Sequence, residues 1–470
     1  MINYTDNKHF SLFNKQEKHQ HIVANTSYRE RISKLNALQR AVEVTYREKI
    51  QDALHKDLKR PIVESDLVAV YLVVKEIKHV KAHLRQWFKK QPVDSQFTLL
   101  GTTSWYIYEP KGVCLIISPW NYPINLALSP LVAAIAAGNT VILKPSEIAS
   151  HCSKVIAEII NSVFTENEVA VIEGGVETAQ ELLKLPFNHI FFTGSIEVGK
   201  IVMSAAAKHL TSVTLELGGK SPVIIDVSAN LKLTAKAIAW IKHFNNGQTC
   251  IAPDYVFVHE SIKNEFIRLY KMALLEFYTE DASKSSTYGR LINEKQYNRL
   301  IGYLEDARTH NAHFEVEGPT NASDLFIGPT VITNLPEESL LLQEEIFGPI
   351  LPIKTYNEID EVIEYLKSKP KPLALYIYAK RRRIINYIIK HTKAGTTGIN
   401  NNGLQFSNHN LPFGGSNTSG IGKAHGFYSF QEFSNQRGIL KRYAIGPIRL
   451  LYPPYTNFKA LLARIVVKWL

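Results

Sequence analysis

The chain has 470 residues, 45% of them apolar and 21% charged, which is globular usage and excludes a disordered, collagen-like or coiled-coil chain. Three cysteines exclude a disulfide scaffold and a four-cysteine metal site and fit a reducing compartment. The net charge of +11 would suit a nucleic-acid binder, but six of those charges are Lys441, Arg442, Arg449, Lys459, Arg464 and Lys468, in a stretch from 441 to 470 that has no acid, so the body is only mildly basic and no nucleic-acid partner is expected.

The N-terminus lacks an apolar h-region, so no signal peptide is expected. The first 90 residues read as helices. Ser27 and Glu30 have capping-box spacing, and Ile32, Leu35, Leu38, Val42, Tyr46, Ile50 and Leu54 follow at helical spacing. A second helix is predicted from about Ser65 to Phe88. Next, Gln96–Leu100 and Ser104–Tyr108 flank Gly101 and read as a hairpin.

From Gly112 to Leu143 there are 32 residues without a charge, long enough to cross a bilayer. Pro119, Asn121, Pro123, Asn125, Pro130, Gly138 and Asn139 interrupt the stretch, so two buried strands around a buried helix are predicted instead. Apolar runs at Val113–Ile117, Thr140–Leu143, Val169–Ile172, Ile190–Phe192, Val213–Leu215 and Val223–Ile225 alternate with helical stretches. That alternation is the pattern of a parallel sheet covered on both faces. A second such region runs from about Gly218 to Gly420, with strands at Tyr255–Val258, Ile350–Ile353 and Leu373–Tyr378. The expected architecture is α/β: two α/β domains plus a small β element made from the hairpin and a late segment.

Several motifs fail on inspection. Gly219-Lys220-Ser221 resembles the end of a P-loop, but Thr214 stands where the first glycine is needed. There is no HExxH, CxxC or G-x-S-x-G, and no metal site is expected. Arg381-Arg382-Arg383 reads as a solvated helix face. Thr193-Gly194-Ser195 marks a turn from a strand into a helix near Ile196, where free N–H groups can hold a pyrophosphate or simply close a βα turn.

Cys114 lies in an apolar strand and Cys152 near a helix start, so both read as inert thiols. Cys250 lies in the polar, glycine-containing loop Asn245-Asn-Gly-Gln-Thr-Cys and is the candidate nucleophile. Glu216, at a strand end before Gly218-Gly219, is the candidate base. Asn121, between Pro119 and Pro123, is either an oxyanion donor or a turn residue.

Together these residues resemble the aldehyde dehydrogenase superfamily, from about residue 25 to about 440. Six motifs occur in the family's order: Pro119-Trp120-Asn121-Tyr-Pro123, Gly138 through Lys144 to Glu147, Phe192-Thr-Gly194-Ser195, Leu215-Glu216-Leu-Gly-Gly-Lys220, Gly247-Gln-Thr-Cys250, and Glu344-Glu345-Ile-Phe347-Gly-Pro349. The short N-terminus, Leu411-Pro-Phe-Gly-Gly415 and Tyr452-Pro-Pro-Tyr455 resemble the class 3 branch of fatty and aromatic aldehyde dehydrogenases. Ser416-Asn417-Thr418 and the polar run Ile399-Asn-Asn-Asn-Gly403 depart from that pattern and bear on the substrate.

The resemblance implies two Rossmann-type α/β domains and a bridging element. Residues 1–90 and 113–216 would bind the cofactor, 217–424 would be catalytic, 91–112 and 425–450 would bridge, and 451–470 would form a tail. Cys250 would attack the aldehyde, Asn121 and the Cys250 N–H would hold the oxyanion, and Glu216 would activate water against the thioester. Trp120, Lys144, Glu147, Gly194, Ser195, Gly199, Glu345 and Phe347 would contact the dinucleotide. NAD is implied, with NADP use open because Glu147 repels a 2′-phosphate while Lys144 attracts it. A small-molecule aldehyde, a homodimer and a cytoplasmic location are also implied. A coenzyme A-acylating enzyme and a non-catalytic relative are the rival readings.

The tail from Lys459 to Leu470 is apolar and basic and too short to span a bilayer. It reads equally as a helix docked on the protein's own surface or as one lying on an anionic membrane with Trp469 at headgroup depth.

Overall fold

The computed structural model describes residues 4, 6–444, 446, 449–450 and 452–469. The side chain of Trp469, and Leu470, lie outside the described residues, as do those of Thr98 and a few terminal positions.

The chain begins with helices α1 (Phe10–Ala24), α2 (Tyr28–Arg40), α3 (Arg47–Leu58) and α4 (Leu72–Trp87). Ser27 caps α2 as its spacing predicts. Its hydroxyl accepts from the Glu30 N–H at 3.3 Å, and Glu30 accepts from the Ser27 N–H at 2.7 Å. The helical pattern after Ile32 is not one helix. A π-helical segment at Ala41–Thr45, closed by the Tyr46 N–H to the Ala41 carbonyl, separates α2 from α3. A second such segment, Asp66–Tyr71, leads into α4. A π turn inserts an extra residue without breaking the apolar stripe, so spacing alone conceals it.

The hairpin exists, but with a different first arm. β1 (Gln91–Val93) pairs antiparallel with β2 (Thr102–Pro110), with Pro92 opposite Trp105. Phe97–Leu99 forms a 3₁₀ turn instead of a strand, and Phe97 is 64% exposed. The β-prone residues around Phe97 have no face to bury, and Pro92 is tolerated because β1 is an edge strand.

The uncharged stretch folds as β3 (Val113–Ile117), α5 (Pro123–Ala137) and β4 (Thr140–Lys144), with both strands wholly buried. After α6 (Ser150–Val163) come β5 (Val169–Val171), β6 (His189–Thr193), α7 (Ile196–Ala207) and β7 (Ser212–Glu216). The second sheet begins with β8 (Pro222–Ile225), α8 (Leu231–His243) and β9 (Tyr255–His259). It continues with β10 (His313–Val316), β11 (Thr330–Thr333), β12 (Ile350–Tyr356), β13 (Ala374–Tyr378) and β14 (Thr396–Ile399). The chain then gives β15 (Gly420–Ile421), α9 (Gly426–Glu432), β16 (Ser434–Arg442) and α10 (Asn457–Trp469).

Three sheets organise these strands. The first is six-stranded in the order β15-β7-β6-β3-β4-β5, parallel except for β15. The second is seven-stranded in the order β10-β11-β12-β9-β8-β13-β14, with only β10 antiparallel. The third is β1-β2-β16, in which β16 runs antiparallel along the whole of β2. Val223–Ile225, which follows the first set of runs directly in sequence, belongs to the second sheet. Among the described residues no helix is long and apolar enough to cross a membrane.

Candidate active site

The carboxyl ends of the parallel strands face one another across a cleft, which is where open α/β sheets bind ligands. Four loops deliver the candidate residues. β3 runs into Ser118–Asn121, β6 into Gly194 and Ser195, β7 ends on Glu216, and α8 leads into the loop that carries Cys250.

The Cys250 loop is held by a dense polar network. Asn245, Asn246 and Gly247 all have positive φ, at 53°, 55° and 74°. A Cβ on Gly247 would stand 2.3 Å from the Gly348 carbonyl oxygen, so only glycine fits there. Asn245 Nδ2 donates to the Asn121 and Gln248 carbonyls, each at 3.1 Å. Asn121 Nδ2 donates to the same Gln248 carbonyl at 3.1 Å, which leaves its second N–H without a hydrogen-bond partner in the structure. Gln248 in turn bonds to Asn245 and Arg290 through Nε2 and to the Ile292 N–H through Oε1. The buried Arg60 donates to Asn245 Oδ1 and to the Asn121 carbonyl, and Glu64 accepts from the Asn245 N–H at 3.0 Å. Arg60 and Glu64 carry no motif at this level, so sequence reasoning passed over them.

Cys250 sits where two cavities meet. One, of about 290 Å³, is lined by Trp120, Asn121, Gly194, Ser195, Glu216, Glu345 and Phe347 as well as Cys250. The other, of about 250 Å³, is bounded mainly by apolar groups that include Leu67, Leu72, Leu126, Trp240, Phe244 and Ile251, and it also reaches Cys250. Enclosure pushes the Cys250 thiol up to about 12, with the Glu345 and Glu216 carboxylates adding to the rise. The N–H groups of Cys250 and Ile251 face the sulfur and partly offset this.

Glu216 is 6% exposed, and neither of its carboxyl oxygens has a hydrogen-bond partner among the described residues. Burial raises its pKa well above the ordinary value, Lys423 pulls it back, and Glu432 adds to the rise. Lys423 is itself engaged, donating to the Gly414 and Gly415 carbonyls at 2.7 and 2.8 Å. The backbone of Glu216 is fixed on both sides, by Gly420 of β15 and by the Gly194 N–H at 3.0 Å. A buried carboxyl with a raised pKa and free lone pairs can take a proton from water.

Glu345 is raised to about 8, first by burial and then by Asp254, against a hydrogen bond from the Gly219 N–H. A Cβ at Gly218 would fall 2.2 Å from Glu345 Oε2, so the paired glycines let this carboxylate approach the strand end. Lys220 pairs with Asp254, which accepts from the Ile346 N–H at 2.9 Å, and Arg299 donates to the Glu345 and Ile346 carbonyls. Phe347 has φ 50°, a costly conformation for a bulky residue, and its ring meets Trp120 edge-on with centroids 5.4 Å apart. Ser195 caps α7 by accepting from the Val198 N–H at 3.4 Å, and a Cβ at Gly199 would come within 2.7 Å of Leu217.

Lys144 and Glu147 stand apart from this cluster. They pair with each other at 2.7 Å beyond the end of β4 and do not line the cavity that holds Cys250. Cys114 and Cys152 are buried and line neither of the two cavities that meet at Cys250.

The cleft offers what a dinucleotide needs: a helix N-terminus at Ser195, a carboxylate at Glu345 and an aromatic wall at Trp120 and Phe347, all beside one thiol.

The sequence profile of the aldehyde dehydrogenase family matches residues 6–439. AldX of Bacillus subtilis (strain 168) is 43% identical over 430 residues, which is 91% of this chain and 96% of that protein. Aldehyde dehydrogenase family 3 member B1 of Rattus norvegicus is 40% identical over 415 residues, 87% of each chain. The structure of the substrate-bound state of Staphylococcus aureus AldH superposes with a TM-score of 0.92 at 39% identity, covering 97% of this chain and 99% of that one.

Proposed function

This chain belongs to the aldehyde dehydrogenase family, and from that premise we propose how its own residues divide the oxidation of an aldehyde to a carboxylic acid. Cys250 is the nucleophile. Its sulfur adds to the aldehyde carbon, and the carbonyl oxygen becomes an alkoxide held by the free N–H of Asn121 and the Cys250 N–H. The thiol, pushed up to about 12 by burial and by the Glu345 and Glu216 carboxylates, gives up its proton to water in the cleft as it attacks, which leaves Glu216 for the hydrolytic step. A bound nicotinamide would supply the hydride acceptor at this point, with Cys250 and Asn121 holding the thiohemiacetal in place. Glu216 then takes a proton from the water that opens the thioester, and the acid leaves with Cys250 regenerated.

Trp120, Phe347 and Glu345 support a site for the nicotinamide and its ribose, and Gly194 and Ser195 support one for the pyrophosphate. Gly199 lets α7 lie close against Leu217. Lys144 and Glu147, farther along the sheet edge, suit the adenine ribose. NAD is the proposed cofactor, and NADP remains compatible with the same Lys144–Glu147 pair. The corresponding division of the chain is cofactor unit 1–90 and 113–216, catalytic unit 217–424, and bridging segments 91–112 and 425–450.

The observation that carries the reading is the position of Cys250 at the junction of a cleft that holds Asn121, Glu216 and Glu345 and a second, apolar cavity. The lining of that cavity favours a medium-chain, long-chain or aromatic aldehyde over a small polar one. The outer edge of β16, unpaired among the described residues, suits pairing with a second copy to give a homodimer. In α10, Phe458, Leu461, Ile465 and Val467 face outward beside Arg464, which suits an anionic membrane surface. Deleting residues 456–470 is expected to abolish binding to anionic liposomes, and a full-length chain that ignores such liposomes would end this part of the proposal.

The test of the catalytic reading is formation of NADH and NADPH with straight-chain aldehydes and benzaldehyde, with Cys250→Ser alongside. Activity that vanishes in the variant supports it. Acyl-coenzyme A as the product, or silence on every aldehyde, would move the coenzyme A-acylating or non-catalytic alternative to the front.

A further inference from the structure

In the wall of the catalytic cleft, three titratable side chains converge, one from the N-terminal helices and two from the segment before α9. Glu76 lies on α4, His409 follows the 3₁₀ turn Leu404–Ser407, and His425 precedes α9. They are 1%, 6% and 7% exposed. Glu76 Oε2 lies 2.7 Å from His409 Nδ1 and 3.8 Å from His425 Nδ1.

Both approaches are within ion-pair distance. Glu76 Oε2, both ring nitrogens of His409 and Nε2 of His425 have no hydrogen-bond partner among the described residues. Interiors seldom leave so many polar atoms unpaired at one point without a water or an ion to satisfy them. The other carboxyl oxygen of Glu76 is already fixed by the Gly426 N–H at 2.9 Å. His425 is held at φ 75°, a conformation an L-residue rarely adopts, so the backbone bears strain to aim this ring inward.

We propose that Glu76, His409 and His425 form a binding site for a divalent transition-metal ion of the zinc type. One carboxylate and two imidazoles suit that class of ion. Metal–ligand bonds of about 2.0–2.2 Å set tetrahedral ligand spacings of roughly 3.4 Å, a value that falls between the two observed separations. The candidate ligand atoms of the three side chains all lie within 4.8 Å of one another. The three residues supply one ligand each, and water completes the set.

The location gives the ion a consequence. Glu76 and His425 line the cleft that holds Cys250, and the ring of Phe406, a wall of the apolar cavity, packs on His425 with centroids 4.4 Å apart. An ion here would tie α4 to the segment after Ser407 and fix that wall. It would shape that cavity without touching the reacting atoms.

The test uses the untagged full-length chain in a Cys250→Ser background, which removes the competing thiol. After chelation and dialysis, Co²⁺ is titrated while its visible absorption is followed, and bound Zn²⁺ is measured by elemental analysis. One saturable equivalent per chain is expected. His409→Asn and His425→Asn should each weaken binding by roughly 100-fold, at or above the about 10–100-fold cost of losing an outer-shell partner. His83→Asn is the control, because His79 and His83 form a second histidine pair on α4, with ring centroids 4.3 Å apart. Binding should survive in it. Circular dichroism of the metal-free variants separates lost ligation from lost folding. No saturable binding in the parent chain would overturn the proposal. So would equal binding by a folded His409→Asn chain, or loss of binding in His83→Asn alone.

Discussion

Replacing Glu216 with Gln keeps the shape of the side chain and removes its ability to accept a proton. Both oxygens of Glu216 are unpartnered, and Lys423 is committed to two backbone carbonyls, so no neighbour is positioned to take over. General-base catalysis contributes about 10²–10⁴ in rate, equivalent to about 2.7–5.4 kcal/mol at 1.36 kcal/mol per tenfold. The whole of that loss should fall on thioester hydrolysis. Stopped-flow absorbance should therefore show a burst of one reduced nicotinamide per active site, followed by turnover slowed by about 10²–10⁴. The wild-type hydrolysis rate should rise with pH as Glu216 ionises, and the variant's should be flat over the same range.

Stability gives an independent reading of the same substitution. The folded chain holds the Glu216 proton above the ordinary value of 4.5, whereas the unfolded chain releases it there. Glu216 therefore costs nothing below that value and costs more as pH rises toward its folded value. The variant lacks this cost, so its melting temperature relative to wild type should climb with pH. A variant with turnover within tenfold of wild type, or with no burst, would refute the assignment of Glu216 to the hydrolytic step.

Asn121→Ala should lower kcat and kcat/KM together by about 10²–10³. The Gln248 carbonyl it leaves still accepts from Asn245, so the melting transition should stay cooperative. Within the apolar cavity each added methylene should contribute about 0.8 kcal/mol, so kcat/KM should grow about fourfold per carbon until its volume of about 250 Å³ is filled. A flat profile across straight-chain aldehydes would remove the cavity from substrate binding. Glu147→Gln frees Lys144 from its carboxylate partner and should raise the NADPH to NADH ratio of kcat/KM by roughly tenfold. An unchanged ratio would place the ribose elsewhere.

How far the sequence spoke depended on whether the signal was local. The strands β3 and β4 are buried throughout and β6 and β7 over most of their length, so their apolar runs stand out, and Asn121, Gly194 and Glu216 lie at or just beyond strand ends as their runs predict. The loop that carries Cys250 was legible as a loop, because three consecutive left-handed residues suit the Asn-Asn-Gly that precedes Gln248. The first arm of the hairpin was misread, because β1 at Gln91–Val93 is short, largely exposed and contains Pro92, while Phe97–Leu100 looks more strand-like although Phe97 and Leu100 are exposed. Arg60 and Glu64 were invisible for another reason. Each is one ordinary charged residue at a helix junction, and its role exists only once the Asn245 loop folds against it. The Glu76, His409 and His425 cluster has no fixed spacing to recognise, since it forms only when α4 meets the segment leading into α9.

The antiparallel strand β15 shows how the chain is threaded. It completes the edge of the first sheet beside Glu216, yet it is made roughly 200 residues after β7. During synthesis at about 5–20 residues per second, the β7 edge would stand open on the ribosome for roughly 10–40 s while the second sheet is produced. The nascent chain must be shielded through that interval, and a fragment ending before Gly420 would leave the ribosome with an unpaired edge suited to aggregation. Closing that sheet edge waits on the return of the segment around Gly420, which also brings Phe413, Ala424 and His425 to the catalytic cleft.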